Sequence, residues 1–157
     1  MAKISLEDLK IQLVEPSAMQ AEVVRRMLAE TGVTRVHHFA DAGAALAEMQ
    51  ALKPDAVISA LYLPDMTGIE LVAAMRADEN LEWVPFILIS SETRPQVLNP
   101  VRQSGACCII NKPFTAEQMK RALYAVVDQL EGIAEIDGED VEDLKVLLVD
   151  DSAMSRR

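Results

Sequence analysis

The chain is short of the residues that most often carry chemistry. Its two cysteines, Cys107 and Cys108, are adjacent. Neighbours on a strand point to opposite faces, so this pair lacks the C-x-x-C spacing of a shared tetrahedral metal site. Both are expected to be small buried hydrophobes in a reducing compartment. The two histidines, His37 and His38, are adjacent as well, and they are expected to be structural or surface residues on opposite faces of a strand. Base is scarce: 15 Lys and Arg stand against 25 Asp and Glu, a net charge of −10. That balance argues against a nucleic-acid surface. No apolar run approaches membrane length, and the opening MAKISLEDLK is too polar for a secretory signal, so a cytoplasmic protein off the membrane is expected. A Gly- or Ser/Thr-rich loop able to cradle phosphate after the first strand is also missing, since the sequence there reads EPSAM. No cofactor and no metal is expected.

What is there is ordinary material for a globular domain, with 50% hydrophobic and 25% charged residues. Apolar runs of strand length alternate with stretches of helical period. Strands are expected at Ile11–Val14, Val36–Phe39, Ala56–Ala60, Pro85–Ile89 and Cys107–Ile110. Helices are expected from Ser17 to about Glu30, over Asp41–Leu52, over Gly68–Ala77 and from Thr115 to Glu131. Ser17 reads as an N-cap, Gly32 as a stop, and Thr115 with Gln118 as a capping box. The first helix is expected to turn Met19, Val23, Val24, Met27 and Leu28 inward, and Trp83 to close the core beside the fourth strand. Thr93–Gln103 holds Pro95 and Pro100, and a proline in a helix interior costs ~3 kcal/mol, so any helix there is expected to be short or broken. Strands alternating with helices imply right-handed crossovers and a parallel sheet covered on both faces.

After Gly132 the pattern changes. Glu131, Glu135, Asp137, Glu139, Asp140, Glu142 and Asp143 crowd one segment that holds no Lys or Arg, which reads as a solvated linker over residues 132–143. Beyond it VEDLKVLLVDDSAMS repeats LEDLKIQLVEPSAMQ from Leu6–Gln20, with Glu, Asp, Leu, Lys, Leu, Val, Ser, Ala and Met in place. Residues 1–131 are thus read as one domain, and residues 144–157 as the first strand and helix start of a second, truncated copy.

Chemistry in an open parallel sheet gathers beyond the carboxyl ends of its strands. Those ends carry Glu15-Pro16, Ala60, Ser90 and Lys112-Pro113. Together with the L-P-D-M-T-G loop of Leu63–Gly68 and the N-K-P-F of Asn111–Phe114, this resembles the response-regulator receiver domain of two-component signalling, similar to the chemotaxis regulators. The resemblance covers Leu9–Glu131 and implies a flavodoxin-like, doubly wound five-stranded (βα)5 fold.

It also implies phosphoryl transfer from a histidine kinase to an aspartate four residues before the loop proline, where this chain has Ala60. Two acids ending the first strand help hold Mg²⁺ in that family; here they are Glu15 and Pro16. A hydroxyl and a lysine then contact the phosphoryl group, and Ser90 and Lys112 fit those places. The resemblance therefore keeps a vestigial pocket of Glu15, Ala60, Ser90 and Lys112 without a nucleophile, and alanine accepts no phosphoryl group. Asp55, at the far end of its strand, and Asp65, expected as a solvated loop residue, are not expected to replace it. With no phosphate, Lys112 is expected to lie close to Glu15, paired directly or through water.

The expected function is a non-enzymatic receiver-like module acting by protein–protein interaction or dimerisation. Its expected partners are other receiver domains or signalling proteins, through the face of the fourth helix, fifth strand and fifth helix. The apolar run Val146–Val149 is expected to dock as a strand and support a homodimer. The alternative is a phosphorylatable receiver using another carboxylate, or the second copy with its acidic pair Asp150 and Asp151.

Overall fold

A computed structural model describes residues 4–103, 106 and 108–138. The repeat, Asp150, Asp151 and the Val146–Val149 strand expected to support a dimer lie outside those residues, as does Cys107. The strands are β1 (Lys10–Val14), β2 (Arg35–Phe39), β3 (Ala56–Ala60), β4 (Phe86–Ser90) and β5 (Cys108–Asn111). The helices are α1 (Ala18–Thr31), α2 (Ala42–Ala51), α3 (Gly68–Ala77), α4 (Pro95–Gln103) and α5 (Ala116–Gly138). The strands form one parallel sheet in the order β2-β1-β3-β4-β5. This is the five-stranded, doubly wound fold expected from the alternation.

The two faces of the sheet carry separate cores. Ile11, Leu13, Ile58, Ile87, Ile89 and Ile110 meet Leu28 of α1 and Met119, Leu123 and Val126 of α5. Val14, Val57, Phe86 and Leu88 meet Met49 of α2, Leu71, Val72 and Met75 of α3, and Leu98 and Val101 of α4. Burial on both faces explains why the strands read as continuous apolar runs rather than alternating ones. Gln12 and Ser59 are polar side chains buried inside strands, 3% and 0% exposed; Ser59 Oγ donates to the Ala60 carbonyl, whereas Gln12 Oε1 has no hydrogen-bond partner among the described residues.

The helix ends follow their local chemistry. Ser17 Oγ accepts the N–H of Gln20, and Gly32 closes α1 at φ +105°, a conformation glycine adopts without a Cβ penalty. Thr67 and Glu70 form a reciprocal capping box on α3. Thr115 and Gln118 do the same before α5.

Four expectations change. The buried face of α1 is Ala21, Val24 and Leu28, while Met19 and Val23 are exposed, because α5 covers a narrower stripe than the apolar residues span. Trp83 is likewise exposed and only its carbonyl is engaged, accepting the Gln129 Nε2–H. The α4 segment is helical throughout, with Pro100 inside it. Pro95 occupies the first helical position, where a missing N–H costs nothing, and Leu98 and Val101 bury the helix against the core. At the other end α5 runs past Gly132 to Gly138, so the start of the segment read as linker is helical.

The loop between β3 and α3 is the tightest part of the fold. Gly68 N–H donates to the Leu61 carbonyl at 2.6 Å and Leu63 N–H to the Met66 carbonyl at 3.1 Å. A Cβ on Gly68 would stand 2.7 Å from the Ala60 carbonyl oxygen and 2.9 Å from Leu88 Cδ1. Asp65 reaches from this loop to the start of α2, its two carboxylate oxygens accepting the N–H groups of Ala42 and Gly43 at 3.0 and 2.8 Å. It is a latch between two βα units rather than a free loop carboxylate. Those N–H donors and the helix dipole hold its carboxyl below the ordinary 3.8.

Two predictions follow from this loop. Gly68→Ala is expected to destabilise the fold by about 1–3 kcal/mol through overpacking against backbone, read from urea unfolding midpoints; an unchanged midpoint would show that the loop yields freely. Because its folded-state value is depressed, Asp65 stabilises fully above about pH 3.8 and loses that contribution as pH falls through its lower value. Asp65→Asn should therefore melt below the native chain at neutral pH, with the gap closing in acid. A gap independent of pH would assign the loss to shape rather than charge.

Candidate functional site

Parallel register brings the carboxyl ends of β1, β3, β4 and β5 to one edge of the sheet. Val14 pairs with Ser59, Ala60 with Ile89, and Ser90 with Asn111. Glu15, Ala60, Ser90 and Lys112 therefore share one rim, as the spacing implied. Glu15 and Ser90 are buried, and Ala60 and Lys112 are half-buried. The Lys112 N–H donates to the Ser90 carbonyl at 2.9 Å, fixing the last loop against β4, and the Lys112–Pro113 peptide is cis.

The side chains do not act on one another as expected. Glu15 Oε2 accepts the Ser17 N–H at 2.9 Å, which turns the carboxylate toward the start of α1. Its carbonyl lies 2.8 Å from His38 Nε2, so that ring nitrogen carries the proton. Its own N–H donates to the Phe39 carbonyl at 2.9 Å. With the carboxylate satisfied by backbone, the direct Glu15–Lys112 ion pair does not form; the ion pairs among the described residues are Arg26–Glu22 and Arg94–Glu92. The two histidines do fall on opposite faces, with His37 exposed and His38 half-buried.

The second of those ion pairs belongs to the site and was not read from the sequence. Ser90 Oγ accepts the Glu92 N–H at 2.8 Å, leaving the Ser90 O–H free to donate. Glu92 in turn accepts both guanidinium N–H groups of Arg94 at 2.7 and 2.8 Å, and the Arg94 backbone N–H at 3.0 Å. The Arg94 hydrogen bonds pull the Glu92 carboxyl down to about 2, and Glu92 with Tyr62 holds Arg94 more firmly protonated. A bidentate fork of this kind is the strong form of the carboxylate–guanidinium pair. Its signal in the sequence was a hydroxyl two residues before an acid, with a base two residues later; only the strand end places it beside Ser90.

The rim thus offers one carboxylate, one methyl, one hydroxyl and one ammonium. Mg²⁺ prefers a near-octahedral set of hard oxygens. Pro16 supplies no carboxylate, Ala60 has no polar atom, and Glu15 is engaged by Ser17, so these side chains do not fit such an ion. Asp55 and Asp65 do not make up the deficit. Asp55 Oδ2 accepts the Lys10 N–H at the opposite end of the sheet, and Asp65 is spent on α2. Among the described residues no group of three or more His, Cys, Asp or Glu is placed to hold a metal, and no helix is long and apolar enough to cross a membrane.

Comparison with known proteins places this geometry. The model of the family described as response regulator receiver domain matches residues 11–124. The chain is 27% identical over 124 residues to the chemotaxis protein CheY of Pseudomonas aeruginosa, covering 79% of this chain and 100% of that protein. It is 28% identical over 130 residues to the chemotaxis protein CheY-3 of Vibrio cholerae, covering 83% and 100%. Among solved structures it is similar to the chemotaxis response regulator CheY4 of Vibrio cholerae, with 30% identity and a TM-score of 0.68 over 75% of this chain and 98% of that one. It is also similar to the receiver domain of a Pseudomonas aeruginosa sensor histidine kinase, solved with a magnesium ion in its active-site cleft. That match has 27% identity and a TM-score of 0.70, over 76% of this chain and 98% of the other. On fold, strand-end geometry and family match alike, the chain belongs to the response regulator receiver domain family.

Proposed function

We propose that this receiver domain signals by protein–protein contact and does not accept a phosphoryl group. One observation carries the reading: the side chain ending β3 at the centre of the rim is the Ala60 methyl. Phosphoryl transfer needs an in-line nucleophile and a cation to neutralise the phosphoryl oxygens. Here the nucleophile is absent, and the one carboxylate on the rim is held by backbone. The domain is accordingly read as a binding module rather than an enzyme. The alternative, transfer to another carboxylate, would need Asp55 or Asp65 to move; Asp55 is engaged by the Lys10 N–H at the opposite end of the sheet, and Asp65 by the Ala42 and Gly43 N–H groups at the start of α2.

The face built by α4, β5 and α5 is the proposed contact surface. β5 is an edge strand, and an open edge with apolar flanks invites a partner. Cys108 and Ile109 are half-buried along it, and Tyr124 stands half-exposed on the neighbouring helix. A partner of matching chemistry is another signalling protein presenting an apolar face or strand, a second receiver domain included. The buried Leu98 and Val101 and the prolines at 95 and 100 give this face a fixed shape, which suits constitutive recognition better than a switch, since a switch needs an input that biases it.

Treating the full chain with acetyl phosphate and Mg²⁺ and then weighing it intact is expected to show no added phosphoryl group. A stoichiometric adduct would overturn the reading. Ala60→Asp alone is expected to phosphorylate poorly, and Ala60→Asp with Pro16→Asp well, because only the double variant returns a metal-type acid to β1. Equal labelling of both would show that the Pro16 position is not what limits the metal. Since Lys112 makes no ion pair among the described residues, Lys112→Met should shift stability by less than about 0.5 kcal/mol; a larger loss in urea unfolding would reveal a partner for its ammonium.

A further inference from the structure

The outer face of α1 carries apolar side chains that its own core contacts leave unused. Met19 is 77% exposed and Val23 47%, and Met27, one turn further on, is half-buried. Residues four apart on a helix are neighbours on its surface, so Met19, Val23 and Met27 form one stripe along α1. The stripe borders a groove of about 470 Å³ between α1 and the loop entering α5. Val23, Val24 and Met27 line one side of it, and Pro113 and Phe114 the other. Single exposed apolar residues are ordinary. A continuous stripe beside an open apolar groove, rimmed by charge, marks a contact surface.

The charges around the stripe indicate what fits there. α1 carries Glu22, Glu30, Arg25 and Arg26, two of each sign, in a chain of net charge −10. The groove adds Lys112 and has no carboxylate among its lining residues. Two copies of so acidic a chain repel over much of their surface, and α1 is a place where that repulsion is absent. Glu22 and Arg26 pair within the helix at 3.4 Å, yet their side chains are 56% and 78% exposed, open to a second partner each. A helix with both signs beside an apolar stripe is complementary to itself run antiparallel, because a two-fold contact sets residue i against j and j against i. Centred near Val23 and Val24, such a crossing brings Glu22 of each copy to Arg26 of the other. It also brings Met19 of each copy beside Met27 of the other.

We propose that this face of α1 binds a second copy of the chain, as an antiparallel α1–α1 homodimer. Met19 of one copy enters the groove of the other, where a flexible thioether suits an irregular space and packs well against the ring of Phe114. Two Glu22–Arg26 pairs, one at each end, flank the apolar centre and fix the register. The surface is limited to one helix and one loop, so the dimer belongs to the weak, transient class. α4 packs over the opposite face of the sheet from α1, so α4 and the β5 edge stay open to another partner. The contact needs no phosphoryl chemistry at the rim.

The test is sedimentation of the full chain from ~10 μM to ~1 mM, where a monomer–dimer equilibrium is expected. Val23→Lys should weaken the dimer about tenfold or more and leave the melting temperature unchanged, since the side chain it replaces is exposed. Glu22→Arg and Arg26→Glu should each weaken it about threefold or more, by setting like charges across the two-fold. The double variant should restore it, and an equimolar mixture of the two single variants should associate more tightly than either alone. These charge exchanges serve if Val23→Lys does not fold. Leu147→Asp in the tail and Tyr124→Lys on α5 should leave the dimer as it is. The proposal is overturned by a monomer mass throughout the range, or by a dimer that Val23→Lys spares. It is equally overturned by a dimer that Leu147→Asp or Tyr124→Lys abolishes, or by charge variants that do not rescue one another.

Discussion

The register of the parallel sheet governs everything at the carboxyl rim, because each strand contributes one position there and no more. Val14 opposite Ser59, Ala60 opposite Ile89 and Ser90 opposite Asn111 are main-chain facts that the side chains inherit. A parallel sheet holds this register only while both faces are buried, and the two apolar layers do that with almost no polar interruption. A slip of one residue in any strand would send its apolar set to the wrong layer. The rim therefore persists whatever residue occupies it. That is how a receiver scaffold retains its shape with a methyl at the centre of its chemistry.

What stabilises the rim in this chain is main-chain satisfaction in place of ionic contact. Glu15 answers to the Ser17 N–H, Lys112 is anchored through its own N–H, and Ser90 receives the Glu92 N–H. The strong charge pair has moved outward, to Glu92 and Arg94, where the fork is partly open to solvent. An exposed pair of this kind adds modest stability, and it orders the turn that leads from β4 into α4. It also sets a guanidinium beside Tyr62, two residues past Ala60.

Fold and site differed in how far they were legible from sequence. Strands buried on both faces leave unbroken apolar runs, and β3 and α3 are placed by sequence to the residue, since Thr67, Gly68 and the residues before Pro54 mark their own boundaries. The four rim positions were readable for the same reason, each standing at the end of an apolar run or within two residues of it. Side-chain engagement was not readable. Glu15 and Lys112 were expected to meet because both are charged and both end strands, yet a main-chain N–H two residues away outcompeted an ammonium across the sheet. Asp65 read as solvated because nothing in sequence reports that the loop folds back on α2. The α4 helix was expected to be short or broken on account of Pro95 and Pro100; at nine residues it is short yet unbroken, the burial of Leu98 and Val101 outweighing a single missing hydrogen bond.

The tie between the two ends of the domain has a consequence for how it is joined to its neighbours. The Ile4 N–H donates to Glu131 Oε2 at 3.1 Å, pinning the start of the chain to α5, and α5 then continues without a break to Gly138. A continuous helix transmits angle as well as distance. Each residue inserted or removed between Glu131 and Gly138 would turn whatever follows by about 100° and shift it by about 1.5 Å. The direction in which the described chain leaves the domain at Gly138 is therefore set by helical phase, a rotary quantity that depends on residue count and not on the composition of the segment.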